Sequence, residues 1–322
     1  MPKFAVTGRV PETALAMLGD AGEVATTDAV GPLPRDELLG LMAGADAVLP
    51  LLHDRVDAEL LDAAGPRLRC VANVAVGYDN VDLEAAAARA VAVANTPGVL
   101  DDATADLTLG LILAAARRLG EGERLLRSGR PWRWGMDFML GRDLRGKLLG
   151  VVGLGAIGTK VAERARAFGM RIAYASRNPA DPAAVAALDA ERLPLDELLT
   201  RADVVSLHCP LTPETRHLID AGRLARMKPT ALLVNTARGP VVDETALVAA
   251  LGDGQIAGAA LDVYEHEPQL DPGLRQLDNV FLAPHLGSAT VETRRAMAEL
   301  AARNAIAAVR GEPLPTPVTP IE

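Results

Sequence analysis

Residues 148–158 read LLGVVGLGAIG, and the fold follows from how that stretch is read. Leu148–Val152 is an apolar run of strand length and Thr159–Phe168 has helical spacing, so glycines 153, 155 and 158 fall on the turn between a strand and a helix. Glycines so spaced often do no more than make a turn. Here a second strand candidate, Arg171–Ala175, follows, and this is the context a dinucleotide-binding unit requires. In such a unit Gly153 permits the tight turn, Gly155 lets the backbone approach a pyrophosphate, and Gly158 lets helix and strand pack closely. The N–H groups of Ala156 and Ile157, at the helix N-terminus, then face the phosphates. The second strand should end in the residue that reads the adenine ribose: an acid for the 2′-hydroxyl of NAD, an Arg for the 2′-phosphate of NADP. The sequence there is Ser176-Arg177-Asn178-Pro179, with no acid before Asp181. That favours NADP, with NAD also possible; the plainer alternative makes Arg177 a solvated loop residue.

The alternation of strand and helix extends both ways. Phe4–Val6, Ala47–Leu52, Leu68–Val74 and Val91–Ala94 are strand candidates before this turn. Ala231–Asn235, Ala257–Leu261, Val204–Leu207 and Val280–Leu282 are candidates after it. Helical patterns begin at Pro11-Glu12 and cover Arg35–Met42, Asp57–Ala64 and Asp82–Arg89, and a long one runs from Asp101 to about Leu119. Gly120–Arg145 is less regular and holds both tryptophans. A last helix, Val291–Val309, precedes a Pro-rich tail expected to be extended. Strands and helices in this order predict an α/β fold with parallel sheets covered by helices.

The 322 residues suggest two domains, and 49% hydrophobic with 23% charged content excludes wholesale disorder. With so few aromatic residues the core must be aliphatic. The longest apolar candidate, Leu107–Ala116, is bounded by Asp106 and Arg117 and is too short to cross a bilayer. The N-terminus lacks a signal-peptide pattern. A net charge of −9 argues against nucleic-acid and anionic-membrane partners. Cys70 and Cys209 make neither a disulfide framework nor a metal-ligand cluster, and both are expected to be buried free thiols. The expectation is a soluble cytoplasmic protein without a metal.

Three downstream segments end strands with chemically active residues: NTARG (235–239), EHEP (265–268) and APHLGSAT (283–290). Singly, each has a dull explanation: a capping Arg, a solvated Glu, a structural His. In an open α/β sheet, however, ligands bind beyond the carboxyl ends of the strands, so all three face the crevice of the dinucleotide.

With these segments, VANVAVGYDNVD (71–82), ANTPGVLDDATADLTLGLIL (94–113), GVVGLGAIG (150–158) and SLHCPLTPETRHLI (206–219), nearly the whole chain resembles the D-isomer-specific 2-hydroxyacid dehydrogenase family. TPGVLDDATAD, HLGSAT and the Ser176-Arg177 ending are most similar to its glyoxylate/hydroxypyruvate reductase branch. The resemblance implies two doubly wound parallel-sheet domains. One is a Rossmann dinucleotide-binding domain at 99–289; the other is a flavodoxin-like, discontinuous substrate domain at 1–98 and 290–322. It also implies catalytic roles for Arg238, Glu267 and His285: Arg238 grips the substrate carboxylate and polarises the 2-oxo group, His285 donates the proton, and Glu267 orients the imidazole. The N–H groups of Val76 and Gly77 match the family's carboxylate-binding loop. Thr104, Pro210, Ala237, Asp262 and Ser288 match positions that touch the cofactor. Ala156 departs mildly, standing where a basic residue is frequent.

In the reductase branch a Trp reaches the neighbouring subunit's site, and Trp134 is the better match of the two here; packing within the chain is the alternative. His208 and Cys209 are expected to be structural, and His53, His217 and His266 to be surface residues without partners. A homodimer is expected, because the irregular segment after Asp101–Leu119 is long for a compact domain and suits wrapping a partner. The expected substrate is a small 2-oxo acid, glyoxylate or hydroxypyruvate. Reduction of 2-ketogluconate or another 2-ketoaldonate, and a non-enzymatic nucleotide-sensing, corepressor-like scaffold, stay open at this point.

Overall fold

Every pair of neighbouring strands within the sheets is parallel, and the strands form two separate sheets. The computed structural model describes residues 1–318. The chain divides into two compact units, one formed by Met1–Leu100 with the segment from Ala289 on, the other by Asp101–Ser288.

The first unit contains β1 (Lys3–Val6), β2 (Glu23–Ala25), β3 (Ala47–Leu49), β4 (Cys70–Ala72) and β5 (Ala92–Ala94), in the order β2-β1-β3-β4-β5. That is the flavodoxin-like order. Helices α1 (Glu12–Ala21), α2 (Arg35–Met42), α3 (Ala58–Ala64) and α4 (Leu83–Ala88) connect the strands. Asp57 and Asp82 start α3 and α4 by accepting the N–H of Leu60 and Ala85. The chain's last helix, Val291–Arg310, returns to this unit and lays Ala298, Ala301, Ala302 and Ala305 against Phe4, Leu18 and Leu49. Small side chains let it approach the sheet closely. Beyond it, Pro317 forms an antiparallel bridge with Ala94, which accounts for the start of the extended tail; residues 319–322 lie outside the described residues.

The second unit begins with α5 (Asp101–Ala116) and α6 (Leu119–Arg127). Its sheet strands are β6 (Leu148–Val152), β7 (Arg171–Ala175), β8 (Glu191–Arg192), β9 (Val204–Leu207), β10 (Leu232–Asn235), β11 (Gly258–Leu261) and β12 (Val280–Leu282). Between them lie α7 (Ala156–Ala167), α8 (Pro182–Leu188), α9 (Leu195–Arg201), α10 (Ala221–Leu224) and α11 (Glu244–Gly252). The strand order β12-β11-β10-β9-β6-β7-β8 reverses between β6 and β9, so the dinucleotide turn stands at the topological switch point. Leu149, Val151, Leu198, Leu199 and Leu207 fill the core on the sheet faces, as an aromatic-poor composition requires.

Some expectations needed revision. β3 and β4 are shorter than their apolar runs. Pro50 has no N–H for a ladder, and the N–H of Leu51 turns to Thr7 Oγ1 and Asp54 Oδ2 at 3.0 and 2.8 Å. β2 and β8 were not foreseen, because short exposed edge strands need no apolar run. The long helix stops at Ala116. Arg118 takes φ +54°, and α6 starts afresh inside the segment read as irregular. α6 buries no residue within the chain, and Gly120 and Gly122 in its first turns kept it from reading as a helix.

Candidate active site

The turn after β6 is built as its glycines require. Gly153 has φ +94°, and a Cβ there would lie 2.8 Å from the carbonyl oxygen of His208. A Cβ on Gly158 would overlap the carbonyl of Gly153. Gly155 differs: a Cβ on it would meet no protein atom within 4 Å. Protein packing does not demand that glycine, which leaves the backbone there open to close approach by a ligand. Gly155 is the N-cap of α7 and offers no side chain, so the N–H groups of Ala156 and Ile157 in the first turn stay available to an anion. These residues fit a dinucleotide pyrophosphate.

At the end of β7, Ser176 Oγ donates to the carbonyl of Asn178 at 2.6 Å, and Arg177 is exposed. Arg192 on β8 donates to the carbonyls of Ser176 and Arg177 at 3.0 and 3.2 Å, which fixes the backbone of this loop. Glu214, from the segment after β9, is held below the usual carboxylate range by its bond from Thr212 and also by the charge of Arg177. An acid therefore does stand near Arg177, brought by a different strand. Pro210, in the same segment, is exposed, and its carbonyl accepts Thr215 Oγ1 at 2.6 Å.

The candidate reacting groups lie beyond β10, β11 and β12. Buried Asn235 shapes the first turn: its amide accepts the N–H of Ala237 at 3.0 Å and donates to the carbonyl of Arg238 at 2.9 Å. Arg238 Nη1 donates to the Ala237 carbonyl at 2.9 Å. Next to it, a Cβ on Gly239 would overlap the Tyr264 carbonyl, so the Arg238 turn packs on the loop carrying Glu267. Glu267 Oε2 lies 2.8 Å from His285 Nδ1, and Oε1 accepts the N–H of Tyr264 at 2.9 Å. Burial alone would push the Glu267 carboxyl up. His285, the Tyr264 N–H and the charge of Arg238 together outweigh it and hold the group below the usual range. An ionised carboxylate thus faces the imidazole.

His285 has φ +54°, unusual for a residue with a side chain. Asp262, 1% exposed at the end of β11, holds it there. Its carbonyl accepts the His285 N–H, and its carboxylate accepts those of Leu286 and Gly287. Burial pushes the Asp262 carboxyl up against these bonds and the nearby His285. Thr104 on α5 is buried and donates to the Gly287 carbonyl at 3.2 Å; part-buried Ser288 follows directly. Both oxygens of Asp262 and the hydroxyl of Thr104 thus serve the His285 loop.

In the first unit, Val76 and Gly77 lie in the loop after β4. The carbonyls of Ala75, Val76 and Gly77 accept from Thr96 N, Asn95 Nδ2 and Asn73 Nδ2 at 2.9, 2.7 and 2.8 Å. In a trans peptide the N–H points opposite to the carbonyl, so the N–H groups of Val76, Gly77 and Tyr78 are turned away from these anchors. They find no acceptor among the described residues, and consecutive free N–H groups of this kind can receive an anion.

His208 is bonded to Ser206 Oγ at 2.8 Å, and burial pushes its imidazole down to about 3, which suits a neutral structural role. Cys70 is buried, but Cys209 is only partly so. His217 does have a partner: its Nε2 lies 2.6 Å from Glu265 Oε1, across a sequence distance no local pattern reveals. Trp134 is 75% exposed, while Trp132 stacks on Phe138. A cleft of about 800 Å³ opens where β10–β12 begin, lined among others by Arg118, Leu140, Asn279 and Phe281. None of the expected site residues lines it. Asn73, Asn95, Asn235, Arg192 and Glu214 were not singled out from sequence; the usable signal was Asn at strand ends, where its amide competes for turn backbone.

A doubly wound sheet with a glycine turn at its switch point is the architecture of a dinucleotide-binding domain. The chain belongs to the D-isomer-specific 2-hydroxyacid dehydrogenase family, whose NAD-binding-domain profile matches residues 109–287. It is 50% identical over 320 residues to a glyoxylate reductase of Thermococcus onnurineus, covering 98% of this chain and 95% of that one. It is 50% identical over 317 residues to a glyoxylate reductase of Aeropyrum pernix, covering 97% and 94%. Among solved structures it resembles a protein of Thermus thermophilus, with TM-score 0.91, 47% identity and coverage of 98% and 100%. It also resembles an NADPH-dependent glyoxylate/hydroxypyruvate reductase of Sinorhizobium meliloti solved with NADP and malonate, with TM-score 0.85, 35% identity and coverage of 98% and 96%. Among the described residues no helix is long and apolar enough to cross a membrane.

Proposed function

We propose that the protein reduces glyoxylate or hydroxypyruvate to the corresponding 2-hydroxy acid, of D configuration where the carbon is chiral, and prefers NADPH to NADH. The observation that carries this reading is the 2.8 Å pair of Glu267 and His285 beside the Arg238 turn, on the strand edge that also bears the Gly153–Gly158 turn. A bound dihydronicotinamide supplies the hydride. His285 gives its proton to the substrate's carbonyl oxygen as negative charge develops there, and Glu267 orients the ring and favours its protonated form. Arg238 polarises the 2-oxo group and pairs with the carboxylate through charge-assisted hydrogen bonds. The N–H cradle at Val76 and Gly77 gives the first unit its substrate-binding role. Thr104, Pro210, Ala237, Asp262 and Ser288 serve the cofactor, directly or by shaping the loops around it. Arg177 holds the 2′-phosphate, and the Ser176 hydroxyl, which donates to the Asn178 carbonyl, joins it by turning to the phosphate.

The working form is a cytoplasmic homodimer. Two cysteines without a disulfide suit a reducing compartment. Leu126, Trp134, Met136 and Leu140 are 62%, 75%, 82% and 64% exposed, a run of apolar surface that a partner subunit would cover. In that assembly Trp134 extends to the neighbouring subunit's substrate. Turnover with NADPH and NADH against a panel of 2-oxo acids, 2-ketogluconate included, tests the proposal. Highest kcat/KM for glyoxylate or hydroxypyruvate is expected. A preference for 2-ketogluconate would reassign the substrate, and no turnover with any acid would overturn the enzymatic reading.

A further inference from the structure

The motif Asp243-Glu244 opens α11, and each acid does something different. Asp243 is the N-cap and accepts the N–H of Ala246 at 2.9 Å. Glu244, in the first turn, would ordinarily point to water, where the helix dipole already favours it. Instead it is 8% exposed and faces the loop between β11 and residue 271. Its Oε2 accepts the N–H of Glu265 at 2.9 Å, and its Oε1 accepts the N–H of Asp271 at 3.1 Å. The exchange is reciprocal, because Glu265 Oε2 accepts the N–H of Glu244 at 3.3 Å. Glu265 Oε1 in turn pairs with His217 at 2.6 Å.

Residues 265 and 271 bracket Glu267. One buried carboxylate thus ties down both ends of the loop whose Glu267 must stay 2.8 Å from His285 Nδ1. No other side chain contacts the loop backbone at both ends in this way among the described hydrogen bonds. A carboxylate suits the task because both donors are N–H groups and it presents only acceptors. An amide in its place would turn an NH2 towards one of them.

We infer that Glu244 is a positioning residue for the reaction: it fastens the 265–271 loop so that Glu267 remains in register with His285. This rests on the reading that the Glu267–His285 pair serves proton transfer. Glu244 itself touches neither substrate nor cofactor, and its effect passes through Glu267.

The test compares Glu244→Ala and Glu244→Gln, each alone and with Glu267→Gln, by kcat, KM for NADPH, the pH–rate profile and the melting temperature. Since acid–base assistance is worth about 10²–10⁴-fold, misplacing the carboxylate should lower kcat by about 10-fold in Glu244→Ala. Glu244→Gln keeps one acceptor and should lose less. KM for NADPH should not change, and the pH profile should move in the direction that Glu267→Gln moves it. In the Glu267→Gln background, neither Glu244 substitution should lower kcat further. If Glu244→Ala is poorly folded, Glu244→Gln carries the comparison. A lowered melting temperature with unchanged kcat and pH profile would mean that Glu244 only stabilises the fold. Losses that multiply with Glu267→Gln would likewise overturn the inference while leaving the Glu267–His285 reading intact. A Glu267→Gln enzyme with unchanged kcat and pH profile would sink that reading instead, and the inference with it.

Discussion

The N–H of His285 donates to the carbonyl of Asp262 at 2.8 Å, and the next two N–H groups, of Leu286 and Gly287, end on the carboxylate of the same residue at 2.6 and 2.8 Å. A left-handed backbone at a residue with a side chain costs about 1–3 kcal/mol, and these three bonds hold it. Asp262→Asn leaves an amide NH2 facing one of the two N–H groups. We expect a loss of about 1–3 kcal/mol of stability, seen in urea unfolding, together with a lower kcat. An Asn variant equal to the parent in both would remove Asp262 from this role.

His285→Ala should lose about 10²–10⁴-fold in kcat while still binding NADPH, since in the proposed site the phosphates lie at Gly153–Gly158. Glu267→Gln should be milder. The depressed Glu267 carboxyl is ionised through the neutral range, and its charge favours the imidazolium. Removing that charge should change the pH–rate profile. Steady-state rates across pH, with NADPH binding followed by fluorescence, check both; full turnover in His285→Ala would direct attention to His208.

Arg177 should give NADPH about 10–100-fold higher kcat/KM than NADH, from about 1.5–3 kcal/mol for a bond to a charged group, discounted for exposure. Ser176→Asp/Arg177→Ala should reverse the preference, since an acid there favours the ribose diol. The nearby Glu214 would oppose a phosphate bound there, so Glu214→Gln should widen any preference for NADPH. Equal efficiency with both cofactors, unaffected by removing Arg177, would leave it a solvated loop residue.

Burial sets the His208 imidazole at about 3 against an ordinary 6.5. Below pH 6.5 the unfolded chain binds a proton that the folded chain excludes. The stability this neutral histidine permits is therefore complete above 6.5 and falls as pH drops towards 3, by up to about 1.4 kcal/mol per pH unit. Urea unfolding at pH 5 and pH 7.5 should show a smaller acid loss in His208→Asn than in the parent. Equal slopes would contradict the burial argument.

Light scattering at micromolar concentration should give twice the 33.7 kDa chain mass. A single 33.7 kDa particle would leave the exposed Trp134 and Met136 without the proposed cover.

The sequence disclosed most where one local pattern fixes one local structure. The apolar runs at 148–152, 171–175 and 204–207 became strands with those bounds, because buried parallel strands need continuous apolar residues. The glycines between them fixed the turn. That the Glu267 and His285 segments end strands on the dinucleotide edge was legible from the β/α alternation; their roles and pairing came only from resemblance to a family, since nothing near either residue predicts that they meet. The arrangements that hold them were not legible. Asp262 reaches Leu286, and Glu244 reaches Asp271, across spans that only the folded sheet closes. α6 was missed for a different reason: its apolar positions do fall on one face, but Gly120 and Gly122 in its first turns disfavour a helix.

Of the three glycines after β6, two are demanded by neighbouring protein atoms and one, Gly155, by none. Damage at the first two strikes the architecture itself. Damage at Gly155 should be separable: the chain should keep its scaffold and lose only the proposed pyrophosphate contact. A chain carrying Gly155→Val should thus stay folded but nucleotide-blind. In the proposed homodimer, pairing it with a normal copy would report whether each chain works independently of the cofactor bound by its neighbour.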